Sequence, residues 1–430
     1  MRKLYSLLIY LLTPLALLHL AFRGLRNRDY LKRWSERFAF FDTPRTVGGM
    51  VVHAASMGEV NAASTLIREL LDRYPEYPLC ITTLTPTGSD RVRALFSDRA
   101  FHVYAPLDLP GAVRRFFDRT RPRLLIIMET EIWPNFFFEA ASQGIPVVIA
   151  NARISDNSIG AYRRLVQFIR PALKRVSQIG AQSRMDAERL VEIGADSNRI
   201  SITGNLKFDV DLPLSLLEQA EPIRMAWGTD RLVLLAGSTH EADEVAVLNA
   251  FKPLLAAFPT ALLVLVPRHP ERFAAVRELI ENHGFECVAR TQEQRCAAST
   301  GVFLGDTMGE LPLFYAAGDV AFVGGSLVPI GGHNLLEPAA LGLPVISGTY
   351  VYNAQDIADM FVSLGACRMV ADAKELAVAV EELIADPQRA QESGMKGLDI
   401  VQRNRGALKR LLGLLEPLII GGDSGSAPLN

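Results

Sequence analysis

Hydrophobic and polar positions divide the chain into stretches of different rhythm. Leu4 to Phe22 carries no Asp, Glu, Lys or Arg over nineteen positions, enough to cross a bilayer core or to lie embedded in one leaflet. Pro14 in mid-segment leaves both arrangements open. From Gly24 to Phe41 the residues Leu25, Tyr30, Leu31, Trp34 and Phe38 alternate with basic ones in a helical rhythm. This predicts either an amphipathic helix on a membrane surface or an ordinary helix packed on the first domain. From Met50 short apolar runs alternate with helical patterns. Met50 to Ala54, Leu79 to Thr83, Phe101 to Tyr104, Leu124 to Met128, Pro146 to Ala150 and Ile179 to Gln182 read as buried strands. Helical segments such as Val60 to Tyr74 and Ala187 to Ile193 separate them.

The alternation weakens between Asn205 and Met225, where prolines interrupt it, and then restarts. Leu232 to Ala236, Ala261 to Val266, Val302 to Leu304, Val320 to Val323 and Pro344 to Ile346 read as strands, with helices at Glu241 to Ala257, Pro270 to Asn282 and Glu310 to Ala317. Near-continuous apolar strands separated by helices imply parallel sheets covered on both faces, so the fold class is α/β with two Rossmann-like, doubly wound domains. The division expected is an anchor over 1–23, a basic amphipathic membrane-proximal helix over 24–49, a first domain over 50–210, a linker over 211–225, a second domain over 226–420 and a disordered tail over 421–430. A length of 430 residues agrees with two domains.

Charge sharpens this picture. Through Val210 there are 29 Lys+Arg against 20 Asp+Glu, a balance of +9; the remainder carries 16 against 27, a balance of -11. A basic first half suits an acidic substrate or a membrane surface. Arg23, Arg26, Arg28, Lys32, Arg33 and Arg37 follow the apolar segment where a cleaved signal peptide would show small residues, and they favour a cytoplasmic placement of the large globular part. Cys80, Cys287, Cys296 and Cys367 have neither CxxC pairing nor regular spacing, so neither a zinc site nor a disulfide framework is indicated. The chain has no Walker A loop, no dinucleotide GxGxxG fingerprint and no DxD pair at a strand end. No nucleic-acid partner, metal or cofactor is expected.

The residues suited to chemistry sit at predicted carboxyl ends of strands, where doubly wound sheets bind ligands. His53-Ala-Ala-Ser56-Met-Gly58-Glu59 joins the first strand to its helix; Glu59 is placed to accept a proton from a hydroxyl, or to serve as a first-turn carboxylate favoured by the helix dipole. Glu129-Thr-Glu131-Ile-Trp-Pro134 follows the fourth strand, and alternation would put Glu129 and Glu131 on one side of an extended segment. Thr85 opens a helix on the same rim. Arg153, Tyr162 and Lys207 add polar or cationic groups. In the second half, Ser238 stands where a strand gives way to a helix, Arg268 ends the next strand, and Gly309 and Glu310 lie in a small-residue loop. The stretch Asp319 to Ser347 runs from a strand through a glycine-bearing loop into a short helix carrying Glu337, then into another strand. Its glycines allow close approach of a ligand, and the helix start offers N–H groups to an anion.

His53 to Glu59, Glu129 to Pro134, Gly204-Asn-Leu-Lys207, Pro267-Arg-His-Pro270 and Gly331-Gly-His-Asn-Leu-Leu-Glu-Pro338 resemble the motifs of the Kdo (3-deoxy-D-manno-octulosonic acid) transferases of lipopolysaccharide synthesis, over nearly the whole chain. Met57 departs from the small aliphatic residue also usual there. The resemblance implies the two-domain GT-B fold with a cleft between the domains, and inverting, metal-independent transfer of Kdo from CMP-Kdo to the 6′-hydroxyl of a lipid A precursor. It makes 50–210 the acceptor domain and 226–420 the donor domain. Glu59 becomes the general base and Glu131 a second essential carboxylate, with Ser56, Gly58, Thr85 and Arg153 on the acceptor side. Ser238, Lys207, Arg268, Gly309, Glu310, Asn334 and Glu337 become donor ligands. The implied location is the inner membrane, with the catalytic domains cytoplasmic. Another GT-B lipopolysaccharide-core enzyme, such as a heptosyltransferase, is the alternative.

Overall fold

The computed structural model describes residues 1–421 except Arg45, Asp211 and Leu214, and except the side chain of Asn157. The expected tail, from residue 422 on, lies outside the described residues. The chain forms two compact units. Unit 1 is Met1–Asp209 with the segment from Arg405 onward, and unit 2 is Val210–Asn404.

In unit 1 the strands are β1 (Met50–His53), β2 (Leu79–Thr83), β3 (Phe101–Tyr104), β4 (Leu124–Met128), β5 (Val147–Ala152), β6 (Gln178–Ala181) and β7 (Ile200–Ile202). They pair in parallel in the order β3-β2-β1-β4-β5-β6-β7, with Val52 opposite both Ile81 and Ile126. Successive side chains point to opposite faces, so an unbroken apolar strand feeds two cores. Val51, Leu125 and Ile127 meet Phe116, Phe117, Phe136 and Phe137 on one face. Val52, Ile126 and Met128 meet Val60, Leu66, Ile67 and Leu70 on the other.

That second face is completed by the helix Ala407–Ile420. Its Ala407, Leu411, Leu415 and Ile419 recur every four residues and are buried in the unit 1 core. The Asp209 carboxylate accepts from Gly406 N (2.6 Å) and Leu408 N (2.5 Å), which fixes the start of this helix. The expected second domain over 226–420 is therefore too long: its last helix belongs to unit 1, whose apolar groove it covers.

Two further expectations change. Residues 24–49 do not form an amphipathic helix. The N-terminal helix runs Arg2–Arg26, and short 3-10 turns come after it at Arg28–Leu31 and Trp34–Phe38, the second bracketed by left-handed Arg33 and Ala39. Two of the basic side chains of this segment are recruited inward: Arg37 is 3% exposed and donates to Leu84 O at 2.9 Å, and Arg33 bonds Ser89 Oγ and His102 O. The segment is a strap on unit 1. The linker over 211–225 is largely the helix Leu216–Trp227, which seals unit 2 by burying Trp227 against Phe303 and Phe314.

Unit 2 contains β8 (Val233–Thr239), β9 (Leu262–Pro267), β10 (Cys287–Ala289), β11 (Val302–Leu304), β12 (Val320–Val323), β13 (Val345–Gly348) and β14 (Cys367–Val370). The order is β10-β11-β9-β8-β12-β13-β14, again parallel. The four cysteines are all free. Both sheets are of the Rossmann type, and together with the apolar N-terminal helix they make a GT-B-like architecture.

Removing residues 405–430 is expected to strip unit 1 of a core face worth several kcal/mol, comparable with the whole stability of a domain. Calorimetry of the detergent-solubilised chain should then lose the unit 1 transition and keep that of unit 2.

Candidate active site

The rim of unit 1 is built where β1 and β4 lie side by side while their following helices go to opposite faces. After β1, Ser56 caps the helix Met57–Arg73. Glu59 folds back on this cap: Oε2 accepts from Ala55 N at 2.8 Å and Oε1 from Ser56 Oγ at 3.2 Å, in the manner of a capping box. The half-buried carboxyl is pushed up to about 7. Burial is the main cause, the charges of Glu129 and Glu131 act in the same direction, and the bonds from Ala55 and Ser56 oppose them. Glu59 therefore fills the structural role of a first-turn cap and has the near-neutral basicity that proton abstraction requires.

Thr85 caps the adjoining helix Pro86–Phe96, accepting from Gly88 N at 3.1 Å. A Cβ on Gly88 would lie 3.3 Å from the Ser56 carbonyl carbon, so the two helix starts are close neighbours. Gly58 is exposed, and a Cβ there would meet only Ser56 Oγ at 3.8 Å; packing does not require glycine at that position.

After β4 the chain turns sharply, because Glu129 adopts a left-handed φ of 54°. The expected extended segment, with Glu129 and Glu131 on one side, is not formed; the two carboxylates nevertheless both act on Glu59. Glu131 accepts from Trp133 Nε1 at 2.6 Å. Thr130 Oγ1 accepts from Arg153 N at 3.1 Å, and Tyr162 OH donates to Thr130 O at 2.9 Å, so the loop after β5 is tied to the one after β4. Lys207 stands on the same unit: buried Asn151, itself left-handed, accepts from Leu206 N at 3.0 Å and holds the turn that bears it.

Sequence reasoning passed over the supports. His53 is 2% exposed, bonds Thr82 Oγ1 at 2.9 Å and meets the Trp133 ring edge-on at 5.6 Å. Burial lowers it to about 4, so it is neutral. The available signal was a histidine inside an otherwise apolar strand. Asp108 is the other: its carboxylate accepts from Asn135 N (3.0 Å) and Phe136 N (2.8 Å), capping the helix Pro134–Ser142 from another loop.

In unit 2 the residues Ser238, Arg268, Gly309, Glu310, Asn334 and Glu337 stand at or beyond the ends of β8, β9, β11 and β12, which are adjacent in the sheet. Ser238 is left-handed, and a Cβ on Gly324 would come within 2.6 Å of Ser238 O, so these two loops are packed backbone to backbone. Buried Asp243 accepts from His240 N (3.0 Å), Gly325 N (2.7 Å) and Leu327 N (3.2 Å). His240 and His333 are joined at 2.9 Å between ring nitrogens, with His269 edge-on to His240. Burial foremost, then the charges of His240, Arg268 and His269, lowers His333 to about 4.

Arg268 is exposed at the end of β9, and its charge is felt by Glu337. Burial raises Glu337, while the bond from Asn334 Nδ2 (3.1 Å) and the Arg268 charge oppose the rise. The helix Leu336–Ala340 is a single turn whose Leu336 N–H is taken by Asn334 Oδ1, so that donor of the expected anion-binding helix start is already engaged. Glu310 is already engaged by Arg290 at 2.9 Å, which holds its carboxyl below the usual range. A cavity of about 360 Å³ lined by Gly49, Pro78, Ala100 and Thr120 lies at the opposite, amino end of the unit 1 strands and takes no part in either rim.

The family profile for 3-deoxy-D-manno-octulosonic-acid transferase (kdotransferase) matches residues 32–210. A 3-deoxy-D-manno-octulosonic acid transferase of Haemophilus influenzae is 40% identical over 97% of this chain and 99% of its own. The chain belongs to this family. The Bordetella pertussis member is 36% identical over 85% of this chain and 86% of its own. Among solved structures, the UDP-GlcNAc 2-epimerase of Neisseria meningitidis aligns over 86% of this chain and 99% of its own, with a TM-score of 0.54 and 16% identity, a likeness of fold alone. For this Kdo-transferase family member, Asp243→Ala would leave three backbone donors without an acceptor. A loss of about 3 kcal/mol or more is expected in the denaturant-induced unfolding of unit 2.

Proposed function

We propose that this enzyme moves Kdo from CMP-Kdo to a lipid A precursor in lipopolysaccharide core synthesis, with unit 2 binding the donor and unit 1 the acceptor. The observation that carries the reading is 40% identity to a Kdo transferase over 97% of the chain, joined to a carboxyl pushed up to about 7 on the unit 1 rim. Glu59 takes the proton of the acceptor hydroxyl, the 6′-hydroxyl of the terminal glucosamine. The oxygen then bonds the anomeric carbon from the face opposite CMP, the bond from that carbon to the phosphate oxygen breaks, and CMP leaves with inversion at carbon. Glu131 orients the acceptor, assisted by Ser56, Gly58, Thr85 and Arg153. Arg268, with backbone N–H groups near Ser238 and Gly309, stabilises charge growing on the phosphate. Lys207 meets an anionic group of the donor, and Asn334 and Glu337 hold its ribose. Glu310, held by Arg290 from the turn after β10, sets the loop after β11 against the donor.

The N-terminal helix fits a membrane anchor: none of its apolar window is buried in the protein. Its first turn bonds unit 1 through Tyr5 and Ser6, and the chain is again attached to unit 1 at Arg33. A spanning helix would hold these points apart across a hydrocarbon core of about 30 Å. We therefore assign it to one leaflet of the inner membrane on the cytoplasmic side, where the nucleotide donor is made.

Purified protein given CMP-Kdo generated in situ and a tetraacyl lipid A precursor should yield lipid masses raised by whole Kdo increments. Turnover with ADP-heptose and none with CMP-Kdo would favour the heptosyltransferase reading instead. Because protonated Glu59 cannot accept a proton, kcat/KM should fall as pH drops through about 7. Ser56→Ala removes a bond that stabilises the carboxylate, so it should move this limb upward, and Glu129→Gln should move it downward. Glu59→Gln should cost roughly 10²- to 10⁴-fold in kcat. EDTA should leave the rate unchanged, since arginine and backbone groups carry the phosphate charge; inhibition reversed by added metal would contradict that account.

A further inference from the structure

The helix Pro134–Ser142 begins immediately after the Glu131-Ile-Trp133 turn, and its N-cap residue Trp133 supplies no side-chain cap. Pro134 has no N–H, so the donors to be satisfied at this helix start are those of Asn135 and Phe136. Both are taken by Asp108, from the loop after β3. Asn135 Nδ2 returns a bond to Asp108 O at 2.7 Å, and Asn135 is fully buried. The cap is completed by the N-terminal helix. Tyr5 OH donates to Asp108 Oδ2 at 2.8 Å, and Ser6 Oγ donates to Asn135 Oδ1 at 2.9 Å. One turn further along the capped helix, Arg2 meets Glu139 at 3.3 Å and lies over the Phe138 ring at 5.1 Å.

A helix needed only as a lipid tether would have no reason to place hydroxyls and a guanidinium in register with the cap of a catalytic loop. We infer that the first turn of the N-terminal helix is a positioning element for Glu131: Tyr5, Ser6 and Arg2 hold the Asp108–Asn135 cap, which fixes the helix start, Trp133 and the carboxylate bonded to Trp133. The membrane segment and the acceptor rim are one rigid piece, so seating the helix in a leaflet also sets the catalytic turn. This inference rests on the role given to Glu131 above, and the structural half of it can be tested without that role.

Tyr5→Phe removes a single hydroxyl and preserves the ring contact with Phe168; Ser6→Ala is the companion variant. In detergent-solubilised full-length protein, amide hydrogen exchange over 133–139 should speed up severalfold in each. The indole N–H resonance of Trp133, assigned by Trp133→Phe, should shift. On a deacylated, water-soluble acceptor, kcat should fall severalfold with KM little changed. A control pair on the exposed side of the same helix, Leu11→Ala with Leu15→Ala, should weaken binding to vesicles of anionic phospholipid and leave the Trp133 resonance in place. Unchanged exchange and an unmoved Trp133 signal in both Tyr5→Phe and Ser6→Ala would overturn the inference. So would a shifted signal with full kcat, provided that Glu131→Gln is inactive. Full activity of Glu131→Gln would instead overturn the role given to Glu131, and the exchange data alone would then decide whether the helix holds the cap.

Discussion

The site depends first on a constraint of parallel sheets: where strand order reverses, neighbouring strands send their helices to opposite faces. In unit 1 this happens between β1 and β4. The helix after β1 packs with Leu66 and Leu70 on one face, and the helix after β4 packs with Phe136 and Phe137 on the other. The connecting loops must diverge, and the right-handed crossover rule allows no alternative. Unit 2 repeats the reversal between β8 and β12. Each unit thus gains a rim of polar loops without opening its core.

Divergent loops are poorly determined by strand pairing, so they are fixed by aspartates, three of them buried (Asp108, Asp186 and Asp243) and one half-buried (Asp209). Asp108 holds the helix start after β4, Asp186 accepts from Ile154 N after β5, Asp209 holds the start of the C-terminal helix, and Asp243 holds the loop after β12. Each replaces backbone pairing by a charge-assisted bond, of the kind worth about 1.5–3 kcal/mol. Burial works against the anion: Asp108 is pushed up to about 7, with Tyr5, Asn135 and Phe136 opposing the rise. The arrangement persists because two backbone donors and a phenol are satisfied by one carboxylate.

The same division of labour explains what could be read in the sequence. Central strands such as Leu124–Met128 and Val320–Val323 are apolar at every position and were legible as buried strands. The edge strands β7, β10 and β14 were not, because part of each is only half-buried and they are short. Positions at strand ends were legible as a rim: Glu59, Glu131, Ser238 and Arg268 stand where the alternation of elements put them. Features decided by distant partners were hidden. The spacing of Leu25, Tyr30 and Trp34 is helical, but Arg33 and Arg37 find carbonyls in the body of unit 1 and the segment folds as a strap. The helix Ala407–Ile420 comes after unit 2 in sequence, yet its partner Asp209 and its apolar groove are in unit 1. Asp108 lay in no motif, and His53 lay in one without a role of its own, since both support the residues that carry the chemistry-bearing groups.

The chemistry of Glu59 arises from the same balance of burial against bonding. A carboxyl capping a helix by accepting from Ala55 N and Ser56 Oγ would ordinarily be strongly acidic, and a strongly acidic group is a weak base. Burial alone would give the opposite fault, a group protonated at neutral pH. Burial, the larger cause, and then Glu129 and Glu131 raise it without taking its hydrogen bonds, so Glu59 stays fixed in geometry while its carboxyl is pushed up to about 7. Clustering three carboxylates is therefore not a structural accident to be tolerated in a unit of balance +9. The bonds from Ala55 and Ser56 place the carboxyl, while burial first and then the charges of Glu129 and Glu131 raise it against them.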